Sequence, residues 1–415
     1  MGKRKVEVDD TPADTSALEG SVAHRRGSGE TGLANLGNTC FMNSILQCLS
    51  NCGPLRDAFL EAEAGEEVNT GAHKTRGRLA VAFGALLREM WAAHASVVAP
   101  RAFKRQVGIF APRFMGFAQQ DSQEFLRFLL DGVHEDLNRV KGTKPYMEIE
   151  DDPDASITDQ ANILWDYHVS RDDSLVMDLF RGQLMSTVTC SRCGKVSHAF
   201  DPFLDISLPI PTSSSSSTST STSPSSSSYS TSSRLYGASS YSRYSRGIGG
   251  GGGRGGYGRS APTVSLDACL NKYTEPETLS GDEKVYCSSC KKHRTSTKQL
   301  ALFRLPRVLV LHLKRFSSSS YSTSKLSNNV TFPLSSLDLS PFVSPDAPSS
   351  TSSATYSLFA VSNHSGGLGG GHYTAYAKSP DTDTWLSFND ATVSVVSEES
   401  VGGPAAYVLF YRRER

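Results

Sequence analysis

The 415-residue chain lacks a long hydrophobic run, and no window approaches the ~18 consecutive apolar residues that a membrane-spanning helix needs. It also lacks a charge imbalance, because 42 Lys and Arg residues balance 42 Asp and Glu residues, so overall charge favours no class of partner. The polar start of the chain carries no secretory signal. We therefore expect a cytoplasmic monomer without a membrane partner, and the basic run Lys3–Lys5 leaves a nuclear location open.

Two stretches have too few apolar residues to form a packed core. Residues 1–30 form a polar tail, and residues from about 211 to 262 form a Ser- and Gly-rich insert, so we expect both to be disordered within a domain spanning 31–415. Such an insert is tolerated because the cost of loop closure grows slowly with length. Residues 241–259 interleave Arg, Tyr and Gly, as some RNA-binding segments do. Their few charges favour a plain linker over nucleic-acid binding.

Apolar residues recur at helical spacing between residues 33 and 140. The pattern predicts three helices. The first begins at Cys40, the second covers Leu79–His94 and the third covers Asp121–Val140. Asn38 or Thr39 is available to cap the first helix, and Asp121 or Ser122 the third. From Ser174 onward the patterns predict strands, at Leu184–Thr189, Val308–Leu313, Tyr356–Val361, Tyr373–Lys378 and Tyr407–Tyr411. Helices followed by strands favour an α+β fold.

Cys40 is a candidate nucleophile, because it lies at the predicted start of a helix, where the macrodipole favours a thiolate. Gly37 lets the backbone come close to a substrate, and Asn35 and Asn38 carry amides able to donate to a developing oxyanion. The alternative is that Cys40 is a small buried core residue, as many cysteines are. We expect Cys48, within the same helix, to be such a core residue.

His372 is the candidate base. The glycines of residues 366–371 predict a mobile loop before it, and a strand pattern follows it. Asn389 follows at a distance that accommodates one strand, a turn and the neighbouring antiparallel strand. Either Asn389 or Asp390 is the orienter of the imidazole, since side-chain alternation lets one of them face His372. His364 is the rival base, although its position predicts a loop residue, and a purely structural role for His372 is the alternative.

Four of the eight cysteines form two Cys-x-x-Cys pairs, Cys190 with Cys193 and Cys287 with Cys290. In a long chain without a secretory signal, such pairs indicate a metal site and not disulfides. Four thiolates suit a closed tetrahedral Zn²⁺ site, which is structural because no position stays open for water. The long gap between the pairs contains the Ser- and Gly-rich insert. We therefore predict that Zn²⁺ ties two hairpins together.

Five segments in order resemble the ubiquitin-specific proteases, a family of papain-like cysteine deubiquitinases. They are Gly32–Gln47 (GLANLGNTCFMNSILQ), Gln119–Leu126 (QQDSQEFL), Leu305–Phe316 (LPRVLVLHLKRF), Gly371–Tyr373 with Trp385–Asp390, and Tyr407–Tyr411. The resemblance runs from about 31 to 412. It implies a papain-like α+β fold with a helical thumb, a β-sheet palm and zinc-bearing β fingers that grip ubiquitin.

The resemblance also implies a role for each matching residue. The implied catalytic residues are the nucleophile Cys40, the base His372, the orienter Asn389, the assisting acid Asp390 and the oxyanion amide Asn35. The implied substrate-binding residues are Asp121, Glu124, Gly371 and Tyr373, and the two acids suit the arginine-bearing tail of ubiquitin. Phe41 departs from the family pattern, which usually has Tyr there.

The activity that the resemblance implies is a thiol isopeptidase. It would cleave after the terminal glycine of ubiquitin on conjugated proteins or polyubiquitin chains, so ubiquitin is the expected partner. A protease for another ubiquitin-like modifier and a non-catalytic ubiquitin-binding scaffold are the alternatives. The scaffold would need a lost catalytic residue, and each of the three catalytic positions is filled.

Overall fold

The computed structural model describes residues 29–414 apart from 62–67, 72–73, 93–95, 149–154, 212–261, 320–321, 350–352 and 368–369. The predicted tail and the predicted insert, including residues 241–259, fall almost wholly outside the described residues. Their disorder and the domain bounds therefore stay predictions.

The described α-helices begin with a group in the first third of the chain. In order they are α1 (Cys40–Ser50), α2 (Gly53–Glu61), α3 (Arg78–Met90), α4 (Arg101–Phe110), α5 (Ser122–Asp136), α6 (Ile157–Arg171), α7 (Leu175–Phe180) and α8 (Leu266–Thr274). None of these helices is both long and apolar enough to cross a lipid bilayer.

The three predicted helices form, and the second and third end a few residues earlier than predicted. The first begins at Cys40 as predicted, with Thr39 in the N-cap position but without a side-chain capping bond. The second ends at Met90, four residues before His94, which lies outside the described residues. The third ends at Asp136, and Asp121 caps it by accepting from the N–H groups of Gln123 and Glu124.

The other helices were not predicted, and α7 falls where the sequence patterns predicted strands. In α6 only Ala161 is fully buried, so the helix has no apolar stripe to recognise, and α7 is too short for a periodicity. The usable signal was the capping residue. Ser156, Ser174 and Ser265 each accept a hydrogen bond from a backbone N–H in the first turn of α6, α7 and α8.

The described strands occupy most of the chain after residue 180. They are β1 (Gly32–Leu33), β2 (Val97–Val98), β3 (Gly182–Cys190), β4 (Val196–Phe203), β5 (Ile206–Pro209), β6 (Thr263–Ser265), β7 (Glu277–Leu279), β8 (Val285–Cys287), β9 (Lys292–Arg294), β10 (Ser296–Arg304), β11 (Val308–Lys314), β12 (Phe316–Ser319), β13 (Ser322–Lys325), β14 (Asn329–Thr331), β15 (Leu337–Asp338), β16 (Thr355–Gly367), β17 (Gly370–Lys378), β18 (Trp385–Asn389), β19 (Thr392–Val395) and β20 (Ala406–Arg413). Each predicted strand lies within one of them, apart from small differences at the ends.

Two larger sheets organise these strands. The central sheet has the order β19-β18-β17-β16-β20-β11-β5, and β15 also pairs with β16. A four-stranded sheet has the order β4-β3-β10-β7, and a separate hairpin joins β8 to β9. Each pair of cysteines is carried by a hairpin, at the β3–β4 turn and the β8–β9 turn.

Helix α1 packs between the other helices and the central sheet, and every one of its residues is buried. Each of its polar side chains takes part in at least one hydrogen bond, as most buried polar side chains do. Ser44 Oγ lies 3.0 Å from Ser362 Oγ on β16, and Gln47 Nε2 donates to the Thr31 carbonyl at 2.8 Å. This packing places the start of α1 against β17.

The glycine segment before His372 differs from the predicted loop. Gly366 pairs with Gly371 and Gly367 with Gly370, so β16 and β17 continue as a hairpin up to residues 368–369, which lie outside the described residues. Antiparallel pairing uses backbone groups alone, so the missing side chains do not prevent it. His364 is likewise a buried residue of β16, 2% exposed, and not a loop residue.

Candidate active site and four-cysteine cluster

Cys40 occupies the first position of α1, and its sulfur contacts three backbone N–H groups, which belong to Tyr373, Phe41 and Cys40 itself. Those N–H groups favour a thiolate, as expected from the helix terminus. Burial acts in the opposite direction and outweighs them, with a further contribution from the charge of Asp390, so the pKa of the Cys40 thiol is raised. The helix terminus thus favours the thiolate, as the sequence indicates, but burial outweighs it, so an adjacent base has to take the proton.

His372 lies on β17 and directly precedes Tyr373, whose backbone N–H acts on the Cys40 thiol, and its imidazole contacts Asn389. The imidazole Nε2 lies 2.7 Å from Asn389 Oδ1, across the neighbouring strands β17 and β18. With Asn389 Oδ1 as the acceptor, Nε2 carries the hydrogen and Nδ1 is the nitrogen with a free lone pair. The pair of side chains predicted from the strand spacing therefore meets, and Asn389 is the member that faces His372.

Asp390 faces away from His372 and joins the strand end to the segment before α1. Its backbone adopts a positive φ of 49°, which breaks the strand alternation. One carboxylate oxygen accepts from Asn35 Nδ2 at 2.9 Å and the other from Asn43 Nδ2 at 2.8 Å. The sequence reasoning did not single out Asn43, although its position three residues after Cys40 puts it one turn along α1.

The two amides considered for an oxyanion site have different surroundings. Asn35 Oδ1 accepts from the N–H groups of Gly37 and Thr39 at 2.9 and 3.2 Å, which directs its Nδ2 towards Asp390. Asn38 Nδ2 instead donates to the Phe117 carbonyl at 2.7 Å, so this amide is held by the loop after α4. Of the two, Asn35 is therefore the amide that belongs to the cluster around Asp390.

Gln119 is a second residue to which the sequence reasoning assigned no role. Its Nε2 lies 3.9 Å from Cys40 Sγ and donates to the Gly371 carbonyl, and its Oε1 accepts from the Gly371 N–H at 2.9 Å. Cys40 is 2% exposed beneath it. The side chain thus bridges the segment before α5 and the strand that carries His372.

The predicted substrate-binding residues divide into bonded and exposed groups. Asp121 caps α5 and also accepts from the Tyr407 hydroxyl, while Tyr373 is buried in the sheet. Glu124 is exposed and forms a 3.3 Å ion pair with the equally exposed Arg113. Glu124 is therefore the acid of this group that a basic segment reaches most directly.

Three other histidines, His134, His312 and His364, are held by structural contacts. His312 Nδ1 lies 2.9 Å from Ser207 Oγ, and burial lowers its pKa to about 3. Burial also lowers the pKa of His364 to about 4, with help from the charge of Lys325, so His364 stays neutral inside an aromatic cluster that includes Tyr373. His134 Nδ1 lies 2.8 Å from Ser174 Oγ, between two helices.

Cys190, Cys193, Cys287 and Cys290 form one cluster, in which the four sulfurs all lie within 4.8 Å of one another. Cys193 Sγ and Cys287 Sγ are 3.6 Å apart. Tetrahedral corners at a Zn–S distance of about 2.3 Å are about 3.8 Å apart, so the spacing fits a metal ion. The four cysteines could therefore bind a metal. Cys269 lies outside the cluster and is fully buried in the core.

The pKa values of the clustered thiols also suit the binding of a cation. Backbone N–H groups, that of Lys195 first, lower the pKa of Cys193 to about 6. The same sulfur raises the pKa of Cys290 to about 11, because two adjacent thiols share one proton more easily than both ionise. A bound divalent cation would offset this repulsion and allow all four thiolates to form.

Comparison with known proteins points to the same family that the sequence motifs resemble. The family model described as ubiquitin carboxyl-terminal hydrolase matches residues 31–411. Ubiquitin carboxyl-terminal hydrolase 2 of Homo sapiens is 41% identical over 384 residues, covering 92% of this chain and 55% of that protein. The protein of the same name from Gallus gallus is 42% identical over 384 residues, covering 92% of this chain and 93% of that protein. The chain thus spans little more than half the length of the human relative.

A solved structure of the SAGA DUB module bound to monoubiquitin shares the fold. It has a TM-score of 0.64 and 24% identity, over 94% of this chain and 70% of that chain. The mixed helical and sheet architecture predicted from the resemblance is therefore confirmed. Together with the family match over nearly the whole chain, these similarities mean that the chain belongs to the ubiquitin carboxyl-terminal hydrolase family.

Proposed function

We propose that this protein is a thiol isopeptidase that cleaves the bond after the terminal glycine of ubiquitin in conjugated proteins or polyubiquitin chains. The observation that carries the proposal is the geometry around Cys40. The Cys40 thiol lies at a helix start near the backbone N–H of Tyr373, and Asn389 orients the preceding residue, His372, through Nε2. This is the arrangement of nucleophile, base and orienter that acyl transfer through a covalent intermediate requires.

In the proposed reaction, His372 Nδ1 takes the proton of Cys40 and the thiolate attacks the carbonyl carbon of the terminal glycine. Asn389 holds the imidazole in the orientation and tautomer that this step needs. The imidazolium then protonates the leaving lysine amine, and the neutral imidazole that remains removes a proton from the attacking water in the second half of the reaction. The backbone N–H groups at the start of α1 and the amide of Asn35 are the proposed stabilisers of the oxyanion.

We propose further that Zn²⁺ occupies the four-cysteine cluster in a structural role. Four thiolates favour zinc over harder cations, and a fully cysteine-ligated ion has no position for water or substrate. The ion would hold the β3–β4 hairpin against the β8–β9 hairpin. A cytoplasmic location and ubiquitin as the partner are proposals of the same kind.

The test is covalent capture by ubiquitin that carries an electrophile at its C-terminus, read by intact mass. The wild type is expected to form a one-to-one adduct, Cys40→Ala none, and His372→Ala an adduct at a strongly reduced rate. Cys48→Ala is the matched control, because Cys48 is a buried thiol of the same helix with no contact to His372 among the described bonds. Failure of the folded wild type to form an adduct would reject the ubiquitin substrate and favour another modifier or a non-catalytic scaffold.

A further inference from the structure

The edge of β17 beside Cys40 offers backbone groups that are not used in the sheet. On one side, β17 pairs with β16 from Gly370 through Ala377. On the other side, the described pairing with β18 begins at Ala375 and runs to Lys378. The segment around Gly371 is therefore a strand edge, and a strand edge binds an extended peptide by backbone hydrogen bonds.

The Gln119 side chain occupies this edge. Its amide donates to the Gly371 carbonyl and accepts from the Gly371 N–H. One residue of a neighbouring antiparallel strand would supply the same two hydrogen bonds to Gly371. The primary amide of glutamine, which carries one carbonyl and one NH₂ group, thus imitates the main chain of a bound peptide.

The same side chain covers the nucleophile. Cys40 is 2% exposed, with Gln119 Nε2 at 3.9 Å from its sulfur. A buried thiol cannot meet a substrate carbonyl, so something in the cleft has to move first. Gln119 is suited to moving because it lies in the segment between Phe114 and α5, where Met115 and Phe117 are 60% and 70% exposed.

We propose that Gln119 is a displaceable substitute for the substrate main chain, which keeps the free cleft closed until the C-terminal tail of ubiquitin takes its place on Gly371. This inference deepens the proposed function and rests on it for the identity of the ligand. The closed state competes with binding, because each tail that binds has to replace the two hydrogen bonds of Gln119. Removal of the side-chain amide therefore strengthens binding and leaves every atom of Cys40, His372 and Asn389 in the protein, although Cys40 Sγ loses its contact with Nε2.

A purely positioning role for Gln119 predicts a different result. If the two bonds served to hold Gly371 and the adjacent His372 in place for the chemical step, loss of the amide would lower kcat and leave KM unchanged. If they close the cleft, loss of the amide lowers KM and does not lower kcat. One net hydrogen bond corresponds to about a fivefold change in an equilibrium constant, so the expected fall in KM is about fivefold.

The experiment compares the wild type with Gln119→Met, which keeps the length of the side chain, and Gln119→Ala, which removes it. The matched control is Gln106→Met on α4, where the side-chain oxygen has no hydrogen-bond partner to lose. Hydrolysis of ubiquitin with a fluorogenic C-terminal amide gives kcat and KM. Both Gln119 variants are expected to lower KM with kcat maintained, while Gln106→Met matches the wild type. An unchanged or higher KM, or a lower kcat, would overturn the proposal.

Two measurements on the free protein test, without ubiquitin, whether Gln119 closes the cleft over Cys40. Alkylation of Cys40 by iodoacetamide, followed on its own peptide by mass spectrometry, is expected to be faster in both Gln119 variants than in the wild type and in Gln106→Met. Backbone hydrogen exchange of the peptide containing Gly371 is expected to be faster in the same two variants. Equal rates in all four proteins would overturn the closed cleft even if hydrolysis is normal. Conversely, accelerated rates in a protein that does not cleave ubiquitin would support the closure and reject the proposed substrate.

Discussion

Asp390 Oδ1 accepts a hydrogen bond from Asn43 Nδ2 at 2.8 Å, so the end of β18 is tied directly to the first turn of α1. The adjacent residue, Asn389, is tied to His372 instead. Two consecutive side chains thus serve different parts of the site. Asn389 acts on the imidazole, whereas Asp390 connects the strand end to the segment that carries the nucleophile.

The first prediction separates these two roles. Asn389→Ala is expected to lower kcat about tenfold or more with little change in thermal stability, because the imidazole loses its orientation. Asp390→Ala is expected to lower stability by about 1–3 kcal/mol, since the buried amide of Asn43 loses the nearest of its acceptors and Asn35 loses its own. Melting curves and kcat for both variants provide the measurement.

The control is Asp383→Ala, at an exposed position where the backbone also has a positive φ. Equal effects of Asn389→Ala and Asp390→Ala on both kcat and thermal stability would contradict the separation of the two roles.

The second prediction concerns the pH dependence of Cys40. Burial and the charge of Asp390 raise the pKa of its thiol. In His372→Ala, which lacks the base, the alkylation rate of Cys40 is therefore expected to rise with pH through a midpoint above the ordinary thiol value of about 8.5. In His372→Ala/Asp390→Asn the midpoint is expected to move down, because a negative charge beside the sulfur is removed. A midpoint below 8.5 in the single variant would show that the helix N–H groups outweigh burial after all.

The third prediction tests the steric role of Gly371. A Cβ there would lie 2.3 Å from His364 Nε2 and 2.6 Å from the Ser365 carbonyl oxygen, so Gly371→Ala has to displace the strand beside His372. We expect a stability loss of about 1–3 kcal/mol together with reduced activity. Gly370→Ala is the matched control, because no atom lies within 4 Å of the added carbon. Denaturant melts and kcat/KM measure both effects, and a neutral Gly371→Ala would contradict the close packing of β16 against β17.

The fourth prediction concerns the metal. Elemental analysis is expected to find one zinc per chain, and Cys287→Ser is expected to lose it, because a three-thiolate set no longer closes the tetrahedron. Structural zinc sites contribute an apparent binding free energy of about 10–16 kcal/mol, so the variant and the chelated wild type should both melt at clearly lower temperature. Ser288→Ala, in the same turn but outside the sulfur cluster, should retain the ion. A metal-free wild type with unchanged melting would reject the site.

Much of this site was predictable because its chemistry requires particular residue types at particular spacings along the sequence. Cys40 at a helix start, His372 before a strand and Asn389 on the next strand were each visible as a local pattern. The choice between Asn389 and Asp390 was not visible, since it depends on the positive φ of Asp390. Strand alternation alone predicts that one of them faces the imidazole, but not which.

Gln119 shows what a local pattern cannot supply. Its bonds to Gly371 join positions 252 residues apart, and no periodicity or capping rule relates them. The raised pKa of Cys40 is a similar case, because the helix terminus is local whereas the burial that outweighs it comes from packing between α1 and the sheet. Helix α6 was missed for the opposite reason, since its surface is so little buried that it needs no apolar stripe.

The bond between Asn35 and Asp390 spans 355 positions, which has a consequence for synthesis. At about 5–20 residues per second, a ribosome needs roughly 20 to 70 seconds to add the chain between them. Helix α1, whose residues are all buried in the finished protein, emerges at the beginning of that interval, long before β17 and β18 exist to cover it. The nascent chain therefore carries its nucleophile without a base, and the helix needs shelter for its apolar residues until β17 and β18 have been made.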